Sequence, residues 1–362
     1  MLRPKSRDFK GSNLKLPSTE YKDLKINLLN NLVTQKNSKN VFSTNKETSL
    51  NTNISSSEKV NIKESKEEKD SRIKKVLKEY FKLESNKLIY QYGSEYLKES
   101  KESEKKYRIH SSFMNKHNLK PLSRALMVDW MIEIFYAFNS EASTFFLAVD
   151  ILDRYLQYTE KNIEDKDIHL IGLACIFIAS KSEDLFPFQM KHIVEELGKN
   201  KFSEEIILRK EIEIIKEIKF ELYNWSTYDY ICLQLIDFRN NNKTIIEKYN
   251  MINHLESYEN CCFFLAKGVQ LNNKFTQYLS SIKGLGCLIC AFDIVQSNSK
   301  TLTDDIIKVF RQWITMLIEE SGFKPETINK FYDSLSDYYK KLIKNEEGIS
   351  FHLCETHSFY FY

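Results

Sequence analysis

The side chains best suited to binding a metal or carrying redox chemistry are the cysteines and histidines, of which the sequence has seven each. Cys287 and Cys290 have the Cys-x-x-Cys spacing of zinc and redox sites, but no second pair accompanies them. They fall inside an apolar helical pattern, as do the cysteines at 261–262, so we interpret these thiols as core residues. Two histidines and a cysteine within 352–357 lack a fourth ligand. The sequence therefore predicts no metal centre.

The residue types needed for catalysis form no recognisable group. His192 and His254 each fall on an amphipathic helical pattern, which is typical of surface or satisfied core histidines. The nine glycines form no Gly-x-Gly-x-x-Gly and no Gly-x-x-x-x-Gly-Lys loop to hold a phosphate. The His-Arg-Asp and Asp-Phe-Gly signatures of protein kinases are missing too. We therefore expect a protein that is not an enzyme and binds no cofactor.

Charge divides the chain into a basic N-terminal part and an acidic remainder. Residues 1–88 hold 20 Lys/Arg and 11 Asp/Glu, a net charge of +9, whereas 89–362 hold 33 and 39, a net charge of −6. Residues 1–70 contain only three aromatics and are rich in Asn, Ser, Thr and Lys, so we predict a disordered tail. The acidic body argues against direct nucleic-acid binding.

No part of the sequence predicts a membrane segment. The longest apolar run, 170–179, is too short for the ~20 residues that cross a bilayer. The basic start is followed by no apolar segment, so we expect no signal peptide. We therefore expect no membrane partner, a location in the nucleus and cytoplasm, and reduced cysteines.

Helical periodicity of the apolar residues predicts the elements that must position any functional side chain. We expect an N-terminal helix near 89–102 and then two runs of five helices. A plausible N-cap is Ser123, behind Pro121. The aromatic-rich segment 351–362 should pack back on the body. The ten helices of the two runs are predicted near 123–138, 142–157, 167–182, 188–197, 203–219, 227–238, 254–270, 281–296, 303–320 and 326–344.

The third helix of each run has the composition of a central helix. Residues 168–179 are apolar on all sides, so neighbouring helices should surround them. The segment from Gly172 to Ala179 is similar to the one from Gly284 to Ala291, each with small residues at matching positions. This similarity suggests a repeated five-helix unit, although apolar helices can also resemble each other by chance.

Several stretches of the first run resemble the signature motifs of the cyclin box. Residues 124–130 are Arg-Ala-Leu-Met-Val-Asp-Trp, 153–156 are Asp-Arg-Tyr-Leu, and 178–187 are Ile-Ala-Ser-Lys-Ser-Glu-Asp-Leu-Phe-Pro. The segment 207–222 begins Ile-Leu-Arg-Lys-Glu and ends Lys-Phe-Glu-Leu, which is also similar to the family. These motif residues are most similar to those of the A/B-type cell-cycle group.

The resemblance covers about residues 89–345 and is strong over 121–223. It implies an all-α chain with two tandem five-helix cyclin folds, preceded by a disordered basic tail and an N-terminal helix. The implied divisions are a tail at 1–70, an N-terminal helical segment at 71–120, an N-terminal cyclin box at 121–223, a C-terminal cyclin fold at 224–345 and a C-terminal tail at 346–362.

The same resemblance implies a kinase-binding site. In cyclins the lysine that ends the third helix and a glutamate of the fifth helix contact the kinase, and the matching residues are Lys181 and Glu211. The usual aromatic after the lysine is replaced by Ser182. The chain would bind a cyclin-dependent protein kinase as a heterodimer, activate it, and so control cell-cycle progression. The apolar positions that would receive the kinase's mobile helix are Ile178, Ile215, Phe220 and Leu222.

A second implied site is the patch by which cyclins bind short Arg-x-Leu-type peptides of substrates or inhibitors. Two positions depart from the family, because Ser123 stands for the usual Met and His169 for the usual Gln. An acidic group of the patch would meet the peptide Arg. The positions that match the patch are Leu126, Met127, Trp130, Glu133 and Ile168.

Other functions stay open on the sequence alone. One is a transcription-type cyclin that pairs with a polymerase-directed kinase. Another is a general transcription factor with paired cyclin folds, which would need a basic folded body and usually a zinc ribbon; a third is a scaffold without kinase binding. Residues 1–88 hold no Arg-x-x-Leu and no Lys-Glu-Asn degradation signal, and the sequence names neither the kinase nor its substrates.

Overall fold

The helices of the computed structural model begin and end close to where the apolar periodicity predicts them. It describes residues 99–100, 102–299, 302–344 and 353, all of which belong to one compact unit. Within these residues the only β pairing is an isolated bridge between Asn118 and Glu164, so the all-α prediction is confirmed. The predicted tail at 1–70 and most of the predicted N-terminal helix lie outside the described residues.

The first run of helices surrounds its third member. That helix is buried along most of its length, as expected from a sequence that is apolar on all sides. Its neighbours in the run pack around it. The helices are α1 (Pro121–Ala137), α2 (Ala142–Tyr158), α3 (Ile168–Glu183), a π-helical turn (His192–Leu197) and α4 (Glu204–Glu217).

Two local predictions in this run were wrong. The N-cap of α1 is Lys120, with Pro121 at the first helical position, so Ser123 lies inside the first turn. The fourth helix, predicted near 188–197, is largely a π-helical turn. Its last bond runs from the Gly198 N–H to the Ile193 carbonyl over 2.8 Å, five residues back.

The second run follows the same packing scheme around α8. A short helix, α6, was not predicted, because only one of its residues is buried and six residues give little periodicity. The assignment of this run as a second cyclin fold stays a prediction. Its helices are α5 (Thr227–Asn241), α6 (Lys243–Lys248), α7 (Ile252–Leu271), α8 (Ser280–Asn298), α9 (Asp304–Ser321) and α10 (Pro325–Ile343), with a 3₁₀ turn at Asn273–Phe275. No helix in the described part of the chain combines the length and apolar character of a membrane span.

One buried arginine joins the two runs. Arg124 of α1 donates from Nε and Nη2 to the two carboxylate oxygens of Asp153 in α2, each over 2.6 Å. Its Nη1 donates across to the second run, to the Gln270 carbonyl at 2.9 Å and the Asn273 Oδ1 at 2.8 Å. Since the guanidinium is fully buried, these four bonds replace the water it would otherwise bind. Arg124 therefore fixes α1 against α7.

Candidate partner-binding surfaces

A charged pair joins the end of α3 to the middle of α4. The Lys181 ammonium forms an ion pair with the Glu211 carboxylate, and it also lies 3.9 Å from the centre of the Phe177 ring. The Lys181 side chain keeps 39% of its surface exposed, whereas Glu211 keeps 11%. The sequence predicts these two residues together, and the structure brings them together at the protein surface.

The four apolar residues predicted beside this pair differ in exposure. Phe220 is 72% exposed, and Ile215 and Leu222 are half-buried. Ile178 is only 2% exposed, so its side chain belongs to the core beneath Lys181. In the isolated chain Ile178 therefore supports this surface and offers almost no area for contact.

Two exposed residues on the same face of α4 as Glu211 were missed by the sequence reasoning. Leu208 is 37% exposed and Ile212 is 53% exposed. With Glu211 and Ile215 they follow the i, i+3, i+4, i+7 spacing of one helix face, which was the available signal. We call the resulting area the α3–α4 surface; it consists of Lys181, Leu208, Glu211, Ile212, Ile215, Phe220 and Leu222.

An unusual backbone turn presents Phe220 to solvent. Lys219 and Phe220 have φ values of 56° and 60°, in the left-handed region that non-glycine residues seldom adopt. The Phe220 N–H donates to the Ile215 carbonyl at 2.9 Å, which closes the end of α4. Such strain is retained only where surrounding contacts impose the conformation.

Arg154 of α2 supplies those contacts. Its Nη1 donates to the Glu221 carbonyl at 2.5 Å and its Nη2 to the Leu222 carbonyl at 2.9 Å. Its Nε donates to Asp150 Oδ2 at 2.6 Å, which orients the guanidinium. Arg154 is fully buried and hydrogen-bonds the two backbone carbonyls that follow Phe220, so it is a positioning residue for the α3–α4 surface. The Asp-Arg-Tyr-Leu stretch at 153–156 was the sequence signal for it.

A second surface runs along α1. Leu122 and Leu126 are 49% and 50% exposed, Tyr136 is 63% exposed, and Trp130 is half-buried between them. Of the predicted patch, Leu126, Trp130 and Glu133 reach the surface, whereas Met127 and Ile168 are buried. We call the exposed set the α1 stripe; it consists of Leu122, Leu126, Trp130, Glu133 and Tyr136.

The two departures from the family lie beside this stripe. The His169 ring meets the Trp130 ring edge-on at 5.2 Å and the Phe202 ring at 5.5 Å. Burial lowers the pKa of His169, and the Lys201 ammonium lowers it further, so the imidazole is neutral at neutral pH. Ser123 hydrogen-bonds the Asp165 carboxylate. His169 therefore contributes an aromatic wall to the stripe and carries no charge there.

The two cysteines with metal-site spacing lie in the core and not at either surface. Cys287 and Cys290 are buried in α8, and burial raises the pKa of Cys287 well above that of a free thiol and the pKa of Cys290 to about 12. Their thiols thus stay protonated, which disfavours metal binding. Among the described residues no cluster of His, Cys, Asp and Glu could hold a metal ion. The ligands considered at 352–357 lie outside those residues.

Comparison with known proteins identifies the first run of helices. Residues 95–223 match the family described as "Cyclin, N-terminal domain". This segment, which holds both surfaces, matches a cyclin N-terminal domain. The resemblance read from the motifs is therefore confirmed.

Individual cyclins from several animals match part of the chain. The chain is 34% identical over 124 residues to the G1/S-specific cyclin-E1 of Danio rerio, covering 34% of this chain and 28% of that one. It is 28% identical over 147 residues to the G2/mitotic-specific cyclin-A of Patella vulgata, covering 39% and 34%. The G2/mitotic-specific cyclin-B1 of Caenorhabditis elegans is 33% identical over 134 residues, covering 37% and 36%. The chain thus spans about a third of the length of these relatives.

Among solved structures, a viral cyclin from herpesvirus saimiri has a TM-score of 0.49 and 17% identity, over 67% of this chain and 97% of that one. This likeness is too loose to decide anything about individual residues.

Proposed function

We propose that this chain is a regulatory subunit that binds a cyclin-dependent protein kinase through the α3–α4 surface and activates it. One observation carries the proposal: within the cyclin N-terminal domain, exposed apolar side chains adjoin a charged pair at the surface. Large apolar residues that stay in water cost free energy until a partner covers them, and their grouping is typical of a binding site.

Each part of the surface has a role in this proposal. Phe220 and Ile212 supply apolar area for a helix of the kinase, at roughly 25 cal/mol per Å² buried. Lys181 and Glu211 hold each other in place and can each hydrogen-bond kinase backbone. Kinases become active when a lysine–glutamate pair of their own forms and the activation loop is ordered. This chain would stabilise that arrangement by binding it more tightly than the inactive one, and would contribute no catalytic group.

The α1 stripe supports a second proposal, that the chain docks Arg-x-Leu-type peptides. The exposed Leu122 and Leu126 offer apolar contact for the peptide Leu, and Glu133 offers a carboxylate for its Arg. Because Glu133 lies seven residues after Leu126, the two lie on the same side of α1. His169 replaces an amide with a ring that packs edge-on against Trp130 and places its donor and acceptor differently, so we expect weaker docking than an amide would give.

The names of the relatives support a cell-cycle role. They include G1/S-specific and G2/mitotic-specific cyclins, and the proposed subunit would accordingly control cell-cycle progression. We place it in the nucleus and cytoplasm, where such kinases act on their substrates.

Kinase activation tests the first proposal. Purified chain is titrated into a panel of cyclin-dependent kinases, and phosphorylation of a peptide substrate is measured. Ile212→Ser and Phe220→Ser should each weaken activation by about tenfold or more, as truncation of an interface anchor costs roughly 1–2 kcal/mol. Ile252→Ser is the matched control, because Ile252 in α7 is 51% exposed and Ile212 is 53% exposed. Equal activation by all three variants would contradict the assigned surface.

Peptide binding tests the second proposal. A fluorescent Arg-x-Leu peptide should bind the wild-type chain, and Glu133→Lys should abolish most of that binding by reversing the charge that faces the peptide Arg. Glu256→Lys makes the same change at an exposed site of α7 and should have little effect. Equal binding by the wild type and Glu133→Lys would remove the docking assignment.

A further inference from the structure

Residues 103–107, which precede α1, contact the turn that presents Phe220. The Lys106 ammonium pairs with the Glu221 carboxylate over 2.6 Å, one residue beyond Phe220. The hydrogen bond to Glu221 raises the pKa of Lys106 to about 12, and the same bond lowers the pKa of Glu221, so both groups are charged at neutral pH. Because the two residues are 115 positions apart, the pair fixes a distant segment to the turn.

A second contact of the segment reaches the same stretch of chain. The Ser103 hydroxyl donates to Asn224 Oδ1 over 3.4 Å, and the Asn224 amide donates to Asp150 Oδ1 over 2.8 Å. The other carboxylate oxygen of Asp150 accepts the bond from Arg154 Nε. The segment and α2 therefore hold the chain after the turn together, through one connected set of polar contacts.

Tyr107 joins the segment to the buried arginine. The centre of its ring lies 5.3 Å from the guanidinium carbon of Arg154 and 4.8 Å from the Lys106 ammonium. A tyrosine ring attracts a cation over its face, and it does so more strongly where water is excluded. Since Arg154 is fully buried, the Tyr107 ring supports the guanidinium whose two bonds hold the carbonyls of Glu221 and Leu222.

The turn needs support of this kind. Lys219 and Phe220 both have left-handed φ values, and such a conformation persists only where surrounding contacts impose it. If those contacts loosen, the turn can relax to conformations in which Phe220 no longer lies on the α3–α4 surface. The affinity of that surface then falls in proportion to the fraction of molecules in which the turn is in place.

We propose that residues 103–107 position the kinase-binding turn, with Tyr107 as the positioning residue that holds Arg154 against it. The inference rests on the kinase binding proposed above, because it concerns the affinity of the same surface. Tyr107 acts through Arg154 and the turn and not by touching the kinase. The segment before α1 would thereby set how firmly Phe220 is presented to a partner.

Limited proteolysis tests the positioning without any kinase. Trypsin cleaves after a lysine where the backbone opens locally, and Lys219 is exposed within the turn. Tyr107→Ala should speed cleavage after Lys219 by about threefold or more, with the fragments identified by mass spectrometry. Lys199 is the internal control, because it is also exposed and has a φ of 48°, and its rate of cleavage should not change.

Kinase affinity tests the consequence for binding. Tyr107→Ala should raise the Kd by about three- to tenfold, whereas Tyr107→Phe keeps the ring and should bind nearly as the wild type does. Tyr249→Ala is the matched control and should leave the Kd unchanged. Tyr249, which follows α6, is also half-buried, and a lysine ammonium lies 4.7 Å from the centre of its ring.

A charge exchange tests the same segment without removing the ring. Lys106→Glu and Glu221→Lys should each weaken kinase binding by about two- to threefold, as expected for an exposed pair, and the double variant should recover most of the loss. Thermal melts establish that each variant is folded. The exchange decides the inference on its own if Tyr107→Ala does not fold.

The two measurements separate this inference from the proposed function. If no kinase binds the wild-type chain, the proposed function fails, while faster cleavage in Tyr107→Ala would still support the hold on the turn. Cleavage and kinase binding that are both unchanged in Tyr107→Ala and in the charge-reversed variants would overturn the inference and leave the proposed function in place. Weaker binding without faster cleavage would overturn it too, since Tyr107 would then contact the kinase directly.

Discussion

The two runs of helices share a packing scheme but differ at the surface. In each run the central helix, α3 or α8, is approached closely at a glycine: Gly172 of α3 lies under Met127, and Gly286 of α8 lies under Phe331. Each central helix also bonds, near its own C-terminal end, to the last helix of its run. In the first run the tie is the Lys181–Glu211 ion pair, and in the second the Tyr332 hydroxyl donates to Asp293 Oδ2 over 2.6 Å.

Exposed apolar side chains separate the runs. Among the described residues, nine large apolar side chains are exposed between 121 and 223, whereas three are exposed after residue 223. Of the nine, six belong to the α3–α4 surface or the α1 stripe: Leu122, Leu126, Tyr136, Leu208, Ile212 and Phe220. The same packing scheme can therefore leave many or few apolar side chains exposed, depending on residues outside its core.

The largest expected effect concerns the bridge between the runs. Arg124→Met should lower the free energy of unfolding by about 3–5 kcal/mol, because it strands the buried Asp153 carboxylate and frees two acceptors on the second run. Urea denaturation measures this loss. Arg311→Met in α9 removes an exposed arginine and serves as the control.

The double variant Arg124→Met/Asp153→Leu sharpens the same test. Since it leaves no stranded charge, it should recover part of the stability that Arg124→Met loses. A single variant as stable as the wild type would show that the two runs do not depend on this bridge.

Kinase binding should distinguish the two ties. Lys181→Ala or Glu211→Ala should each weaken binding by about 2–5 kcal/mol, since removal of one member strands the other in the interface. That is a change of about 30-fold to several thousand-fold in Kd. Asp293→Ala breaks the corresponding tie of the second run and should leave Kd unchanged, as measured by titration with kinase.

The pair of the first run should also act as a unit. The double variant Lys181→Ala/Glu211→Ala should lose much less binding than the sum of the two single losses. Additive losses would show that each residue contacts the kinase independently. Melting temperatures near that of the wild type are expected for the exposed Lys181→Ala variant.

The junction between the runs should respond to pH through Asp229. Burial raises the pKa of this carboxyl to about 6, and Glu183 and Asp150 of the first run raise it further against hydrogen bonds from Ser226. The folded chain thus keeps a proton that the unfolded chain loses near its ordinary pKa of about 4. Ionisation of Asp229 therefore lowers stability as the pH rises from about 4 to about 6 and beyond, by roughly 2–3 kcal/mol.

Asp229→Asn removes this titration. The free energy of unfolding of this variant, relative to that of the wild type, should rise by roughly 2 kcal/mol between pH 4.5 and pH 7.5, as measured by urea denaturation at both values. Asp333→Asn, at an exposed site of α10, should show no such difference. Parallel pH profiles for Asp229→Asn and the wild type would contradict the shifted pKa.

The smallest effect compares the two central glycines. An alanine Cβ at Gly286 would stand 2.2 Å from a ring carbon of the fully buried Phe331, so Gly286→Ala should cost about 1–3 kcal/mol. At Gly172 the Cβ would stand 2.2 Å from Met127 Sδ, and a flexible methionine can move aside, so Gly172→Ala should cost less. Thermal melts rank the two, and the reverse order would show that α3 is packed more rigidly than α8.

The positions of the helices were largely determined by local sequence. Apolar spacing placed ten helices to within a few residues, apart from the π-helical turn, because a helix face repeats every 3.6 residues whatever surrounds it. Short-range polar bonds are local in the same way. The Ser226 hydroxyl and the Asp229 carboxylate, three residues apart, form the capping box that starts α5.

The sequence by itself thus determined the all-α fold and the central position of α3. It also determined the pairing of Lys181 with Glu211, because both residues match positions of the cyclin motifs. Tertiary structure alone decided which apolar residues face solvent: Ile178 is covered, whereas Ile212 and Phe220 are not. It also decided the outward turn at Phe220, imposed by Arg154 from 66 positions earlier in the sequence, and the meeting of Leu353 with Asp129. The physical reason is that periodicity defines the faces of a helix, while only contacts between distant segments determine which face is buried.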